Sequence, residues 1–131
     1  MLARCLAICL LLATPTLAKD ALRTERVEFA KGTSSKTIAS SIRGYGAVRY
    51  VVRVEAGQTL NASLKTSNPS NYFNVTAPGA EAAAFVGSQS GNRFTVTAPS
   101  TGDYAVEVYL MRNAARRNAM ANYTLSIGVS Q

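Results

Sequence analysis

The densest chemistry in this 131-residue sequence is the run holding Tyr109, Arg112, Arg116 and Arg117, with Asn113 and Asn118 set among alanines. A guanidinium is planar, permanently charged and able to bridge both oxygens of a carboxylate. Arginine and tyrosine are also the side chains that most often anchor a binding surface. A second group, Thr101, Gly102, Asp103 and Tyr104, offers a hydroxyl and a ring at a turn. Each group has a plainer reading. The arginines can be a solvated charge cluster that aids solubility. Thr-Gly-Asp can be a turn, with Tyr104 filling core volume and its hydroxyl meeting a backbone partner. Tyr109 shares an outer strand face with Glu107, where an isolated exposed ring is ordinary.

Other chemistries are excluded by composition. There is no histidine, and both cysteines, Cys5 and Cys9, fall in the first eighteen residues. The usual zinc and copper ligands, the Ser-His-Asp relay and Cys-His catalysis are therefore not expected. Glycosidase chemistry needs two carboxyl groups facing one cleft, and the spacing pairs neither Asp103 with Glu107 nor any other two acids. No phosphate-binding glycine motif is present, and Asp and Asn are not clustered as a calcium loop requires. The expectation is a protein that is not an enzyme and holds no metal or cofactor.

Residues 1–18 read as a cleaved secretory signal. Arg4 supplies the positive start, 5–13 the apolar stretch, and Thr14, Pro15, Thr16, Leu17 and Ala18 a small-residue cleavage site. The apolar stretch is much shorter than the roughly 20 residues needed to span a bilayer, so no membrane span is expected. Residues 19–131 then form a single exported domain without thiols. The formal net charge is +7, and Arg4 leaves with the leader. Scattered cations, rather than a basic stripe interleaved with aromatics, argue against a nucleic-acid partner.

Those side chains must be positioned by strands. From Val27 onward, short alternating runs are separated by Gly, Pro, Asn and Ser. A short strand is expected at 27–29 after a patternless lead-in, and a weak one over 36–42. Gly44, Tyr45 and Gly46 form a turn with the ring at its tip. Val48, Tyr50, Val52 and Val54 mark a half-buried strand, joined through Gly57 to a partner carrying Leu60 and Leu64. Phe73 and Val75, then Phe85, then Phe94 and Val96 mark three more. Tyr104, Val106, Val108 and Leu110 give one face of a long strand; Tyr123, Leu125, Ile127 and Val129 give one face of the last, with 112–118 as a long basic loop between them. No helix is convincing. The fold class expected is all-β, an antiparallel β-sandwich of about seven to nine short strands. Such scaffolds commonly act through loops at their ends. The Thr101 turn begins the strand whose far end enters the arginine loop, so the two form one surface only if that strand is sharply bent.

At these residues the chain resembles a known family. YLMRNAARRN followed by ANYTLSI, preceded by TGDY, GYGAVRYVVRVEAGQTL and SNPSNYFNV, is similar to the bacterial periplasmic inhibitors of g-type lysozyme and to their relatives that inhibit i-type lysozyme. The similarity runs from about Val27 to Val129. It implies a β-sandwich that occludes the lysozyme cleft with loop residues, as a defence against host lysozyme, and a periplasmic location. Its partner-binding residues fall on Thr101, Gly102 and Tyr104, with threonine where the family has serine, and on Tyr109, Arg112, Arg116 and Arg117. A different class is also represented. AGQTL with TGDYAVEV resembles the small non-catalytic β-sandwich modules of secreted peptidases, which bind polysaccharide or cell-envelope components.

Overall fold

A computed structural model describes residues 22–131; the leader assigned to 1–18 lies outside them. Nine strands and two single helical turns follow one another: β1 (Leu22–Arg26), β2 (Ser35–Arg43), β3 (Ala47–Val54), β4 (Thr59–Thr66), β5 (Asn71–Thr76), β6 (Phe85–Val86), α1 (Gly87–Ser90), β7 (Arg93–Thr97), β8 (Gly102–Leu110), α2 (Arg112–Arg116) and β9 (Met120–Ser130). They make two sheets, one ordered β1-β3-β8-β5-β6 and the other β2-β9-β4-β7. All pairings are antiparallel except β1 with β3. This is the expected sandwich.

Period-two alternation is what builds it. In β3, β8 and β9 every second residue is buried, because successive side chains leave a strand on opposite faces. Val52, Val54, Phe73, Val106 and Val108 from the five-stranded sheet meet Leu60, Leu64, Leu125 and Ile127 from the other, all at most 4% exposed. Phe85, Phe94 and Val96, expected in the core, are only partly buried and pack against its margin. Phe85 lies 5.1 Å, ring to ring, from both Phe73 and Phe94, which closes the side of the sandwich between β6 and β7.

One polar contact crosses the core. The hydroxyls of Tyr50 in β3 and Tyr123 in β9 are 2.7 Å apart. Burial, reinforced by that hydrogen bond, pushes the Tyr50 hydroxyl well above the ordinary tyrosine range. The pair ties one sheet to the other where both rings are dry.

Three expectations need correction. Residues 22–26 form β1, whereas 27–29 are not a strand. All five β1 residues are exposed, so no alternation marks them; backbone pairing from Leu22↔Ala47 to Arg26↔Val51 holds them instead. Val27 ends the segment as a buried peg whose N–H donates to the Val51 carbonyl at 2.8 Å. The basic loop contains a helical turn, α2, anchored by burial of Ala114 and Ala115. Asp103 is the second residue of β8 and not part of a turn.

Removing one hydroxyl of the tyrosine pair leaves the other buried without it. Tyr50→Phe is expected to cost about 1–2 kcal/mol. Adding Tyr123→Phe to it should recover part of that loss, so a double-mutant cycle by urea denaturation should show favourable coupling. Additive losses would mean that the two hydroxyls do not stabilise each other.

Candidate functional site

The two candidate groups occupy opposite ends of one strand. β8 runs nine residues from Gly102 to Leu110, about 27 Å at the usual rise. Its first residue is registered with Val54 and its last with Asn71. Thr101 and Arg112 therefore do not share a surface.

At the Thr101 end each side chain is engaged within the fold. The Thr101 hydroxyl oxygen accepts the Ala56 N–H at 2.9 Å, capping the β3–β4 turn. Gly102 packs against Pro78, and a Cβ there would stand 2.6 Å from the proline Cβ. Tyr104 is 3% exposed and belongs to the core, as its plainer reading anticipated. Asp103 meets Arg26, whose two terminal nitrogens donate to its two oxygens at 3.4 and 2.9 Å. That fork and the guanidinium charge hold the Asp103 carboxyl below the ordinary carboxylate range. Because Arg26 sits in the patternless β1, nothing in the sequence pointed to this pair.

The other end is differently built. Three loops meet there: 44–46 between β2 and β3, 67–70 between β4 and β5, and 111–119 between β8 and β9. Ala114 and Ala115 face inward while Arg112, Asn113, Arg116 and Arg117 are exposed. Arg112 and Arg116, four apart, lie on one side of the turn. The Asn113 Oδ1 accepts the Ala114 N–H at 2.9 Å. Asn118 takes a left-handed conformation, φ 54°, which a short polar side chain tolerates, and so reverses the chain into β9. Neighbouring loops brace this turn. Gly44 donates to the Ala119 carbonyl at 2.9 Å. Arg43 donates to the Asn118 carbonyl at 3.4 Å. Asn68 Nδ2 donates to the Met120 carbonyl at 3.3 Å, and Met111 N–H to the Ser70 carbonyl at 2.9 Å.

Of the four large apolar side chains exposed among the described residues, three project from this end: Tyr45 at 57%, Met111 at 40% and Met120 at 45%. No Asp or Glu occurs in the three loops. The result is a rigid, acid-free cap combining cations with polarisable apolar groups, suited to a surface that offers carboxylates among apolar walls. Tyr45 was legible as a ring at a turn tip. That it shares an end of the sandwich with the arginines was not, since their positions are some 70 residues apart in sequence and are brought to one end only by the sheet order. Tyr109 stands apart from the cap. It lies on the outer face of the five-stranded sheet opposite Tyr72, half-buried, with its hydroxyl donating to Asn74 Oδ1 at 3.0 Å.

No family model matches the chain. The inhibitor of g-type lysozyme from Escherichia coli (strain K12) is 26% identical over 126 residues, spanning 94% of this chain and 93% of that protein. Among solved structures, Aeromonas hydrophila PliG, a periplasmic inhibitor of g-type lysozyme, superposes with a TM-score of 0.74 at 31% identity, over 83% of this chain and 97% of its own. A mutant of the corresponding Escherichia coli inhibitor gives a TM-score of 0.65 at 26% identity, over 84% and 100%.

Two outcomes follow from this geometry. Asp103, held below its ordinary value, adds stability that is present above about pH 3.9 and is lost as acid protonates it. Asp103→Asn should thus lower Tm at neutral pH but match the parent near about pH 2; a pH-independent difference would show that the ion pair is not its cause. Asn118→Val should cost about 1–2 kcal/mol, the steric penalty of a left-handed position, whereas Asn118→Gly should be nearly neutral by thermal denaturation.

Proposed function

The chain belongs to the family of periplasmic inhibitors of g-type lysozyme, and from that premise we infer that it docks on its target with the cap formed by loops 44–46, 67–70 and 111–119. It is a proteinaceous inhibitor of g-type lysozyme acting in the periplasm. The observation that carries the docking assignment is convergence. Arg112, Arg116 and Arg117 share one end of the sandwich with three of the four large apolar side chains exposed among the described residues.

The mechanism is occlusion without chemistry. A glycosidase cleft presents carboxyl groups between walls shaped for sugar rings. A guanidinium entering it forms charge-assisted hydrogen bonds to a carboxylate, while Tyr45, Met111 and Met120 cover the walls. The cap is braced before it binds, so little ordering entropy opposes association. Thr101, Gly102 and Tyr104 act on this reading from a distance, by fixing the opposite end of the sandwich, and Tyr109 by fixing the flank of β8. No residue of the chain turns over substrate. Residues 1–18 are the leader removed on export, so protein recovered from the periplasm should begin at Lys19 by mass spectrometry.

Replacing Arg112, Arg116 and Arg117 together by alanine tests the assignment. Anchors of this kind are commonly worth about 2 kcal/mol or more each, so inhibition of g-type lysozyme should weaken by at least about 100-fold with Tm little changed. Tyr45→Ala should weaken it by about tenfold or more. Undiminished inhibition by both variants would place the docking surface elsewhere.

A further inference from the structure

Charge is divided unequally between the two layers. The strands of the four-stranded sheet, β2, β9, β4 and β7, contain no Asp or Glu and carry Lys36, Arg43, Lys65 and Arg93. The five-stranded sheet holds Glu25, Asp103 and Glu107, and these are matched by cations. Arg23 meets Glu25 and Arg26 meets Asp103, each at 2.9 Å, and Arg49 is registered opposite Glu107. The cations of the acid-free sheet have no such carboxylate on their own layer.

The outer face of that sheet is also unusual in shape and polarity. Register places Arg93, Ser63, Ser126 and Thr37 in one row across four strands. The adjoining row has Asn61 and Gly128 at its centre. Strands lie about 4.8 Å apart and same-face rows about 7 Å apart, so short hydroxyl and amide side chains pave a flat floor with cations at its margins. A shallow trough of about 620 Å³ opens over these rows. Gly128 lowers its centre without being required by the backbone, since a Cβ there would meet only ordinary contacts at 3.8 and 3.9 Å.

We propose that this face is a second binding surface, which holds a carboxylate-bearing glycan strand along the trough. The hydroxyl and amide rows match the hydroxyls and acetamido groups of sugars, and Lys65 and Arg93, on the same outer face, match carboxylates beside them. Anionic lipid fits less well, because the trough offers no exposed large apolar side chain to insert. Single-stranded nucleic acid fits less well for want of an exposed ring on which to stack bases. The polymer that a lysozyme cleaves is a glycan of this kind. The surface is separate from the docking cap, so an inhibitor bound to the wall keeps its cap directed outward to an arriving enzyme.

Co-sedimentation of the mature chain with purified peptidoglycan sacculi at low ionic strength tests this. The parent should sediment and be released by salt, whereas Lys65→Ser/Arg93→Ser should bind at least about tenfold more weakly. That variant should still inhibit g-type lysozyme on a soluble oligosaccharide as the parent does, which shows that it is folded. Arg112→Ala/Arg116→Ala/Arg117→Ala removes more charge, but from the cap, and should sediment like the parent. Gly128→Val keeps every charge but fills the trough, and should reduce sedimentation. The proposal is overturned if the parent stays in the supernatant or if the double and the triple variant lose sedimentation equally. Unchanged binding by Gly128→Val, or stronger binding to anionic lipid vesicles than to sacculi, would overturn it as well.

Discussion

Nearly every connection in this molecule must cross from one sheet to the other. β1 passes to β2, β2 to β3, β3 to β4, β4 to β5, β6 to β7, β7 to β8 and β8 to β9 by changing layers; among the described residues only β5 to β6 stays within one. Packed sheets stand about 10 Å apart, and the space between them at each end would expose the core unless the crossing loops covered it. The loops are therefore lids before they are anything else. Ala114 and Ala115 show how this constraint acts. They are buried because the β8–β9 crossing must seal the core, and their burial is what turns the flanking arginines outward.

A surface built in this way is already ordered when it meets a partner. The cap is a set of crossings locked to each other through backbone groups at Gly44, Ser70, Asn118 and Ala119, with side chains on a fixed frame. That suits an inhibitor, which gains nothing from yielding to its target and loses affinity to any disorder it must remove. The cap's arginines stand apart from Lys65 and Arg93, which lie on the outer face of the four-stranded sheet.

The sequence discloses what depends on local period and withholds what depends on neighbours. Val48 to Val54, Tyr104 to Leu110 and Tyr123 to Val129 announce their strands because one face of each is dry. β1 stays hidden because its residues are all exposed and its stability comes from the backbone of β3. α2 stays hidden because five residues carry too little period to register, and because alanines read equally well as loop or helix. At the candidate site the arginines were visible as chemistry, and Tyr104 as a core residue. Tyr45, Met111 and Met120 gained meaning only when the sheet order brought their loops together. The resemblance to the lysozyme inhibitors pointed to the partner; the geometry supports the proposal that the cap faces it.

β1 has a consequence for the protein as a solute. Without it, β3 would be the margin of its sheet, an eight-residue run with valine at half its positions and unpaired amide and carbonyl groups along its length. Such a margin is a template on which another chain can add as a strand. β1 occupies that template with Leu-Arg-Thr-Glu-Arg, so the new margin carries two arginines and a glutamate and is shorter than the strand it shields. A segment with no buried side chain thus helps to keep the protein from assembling with itself.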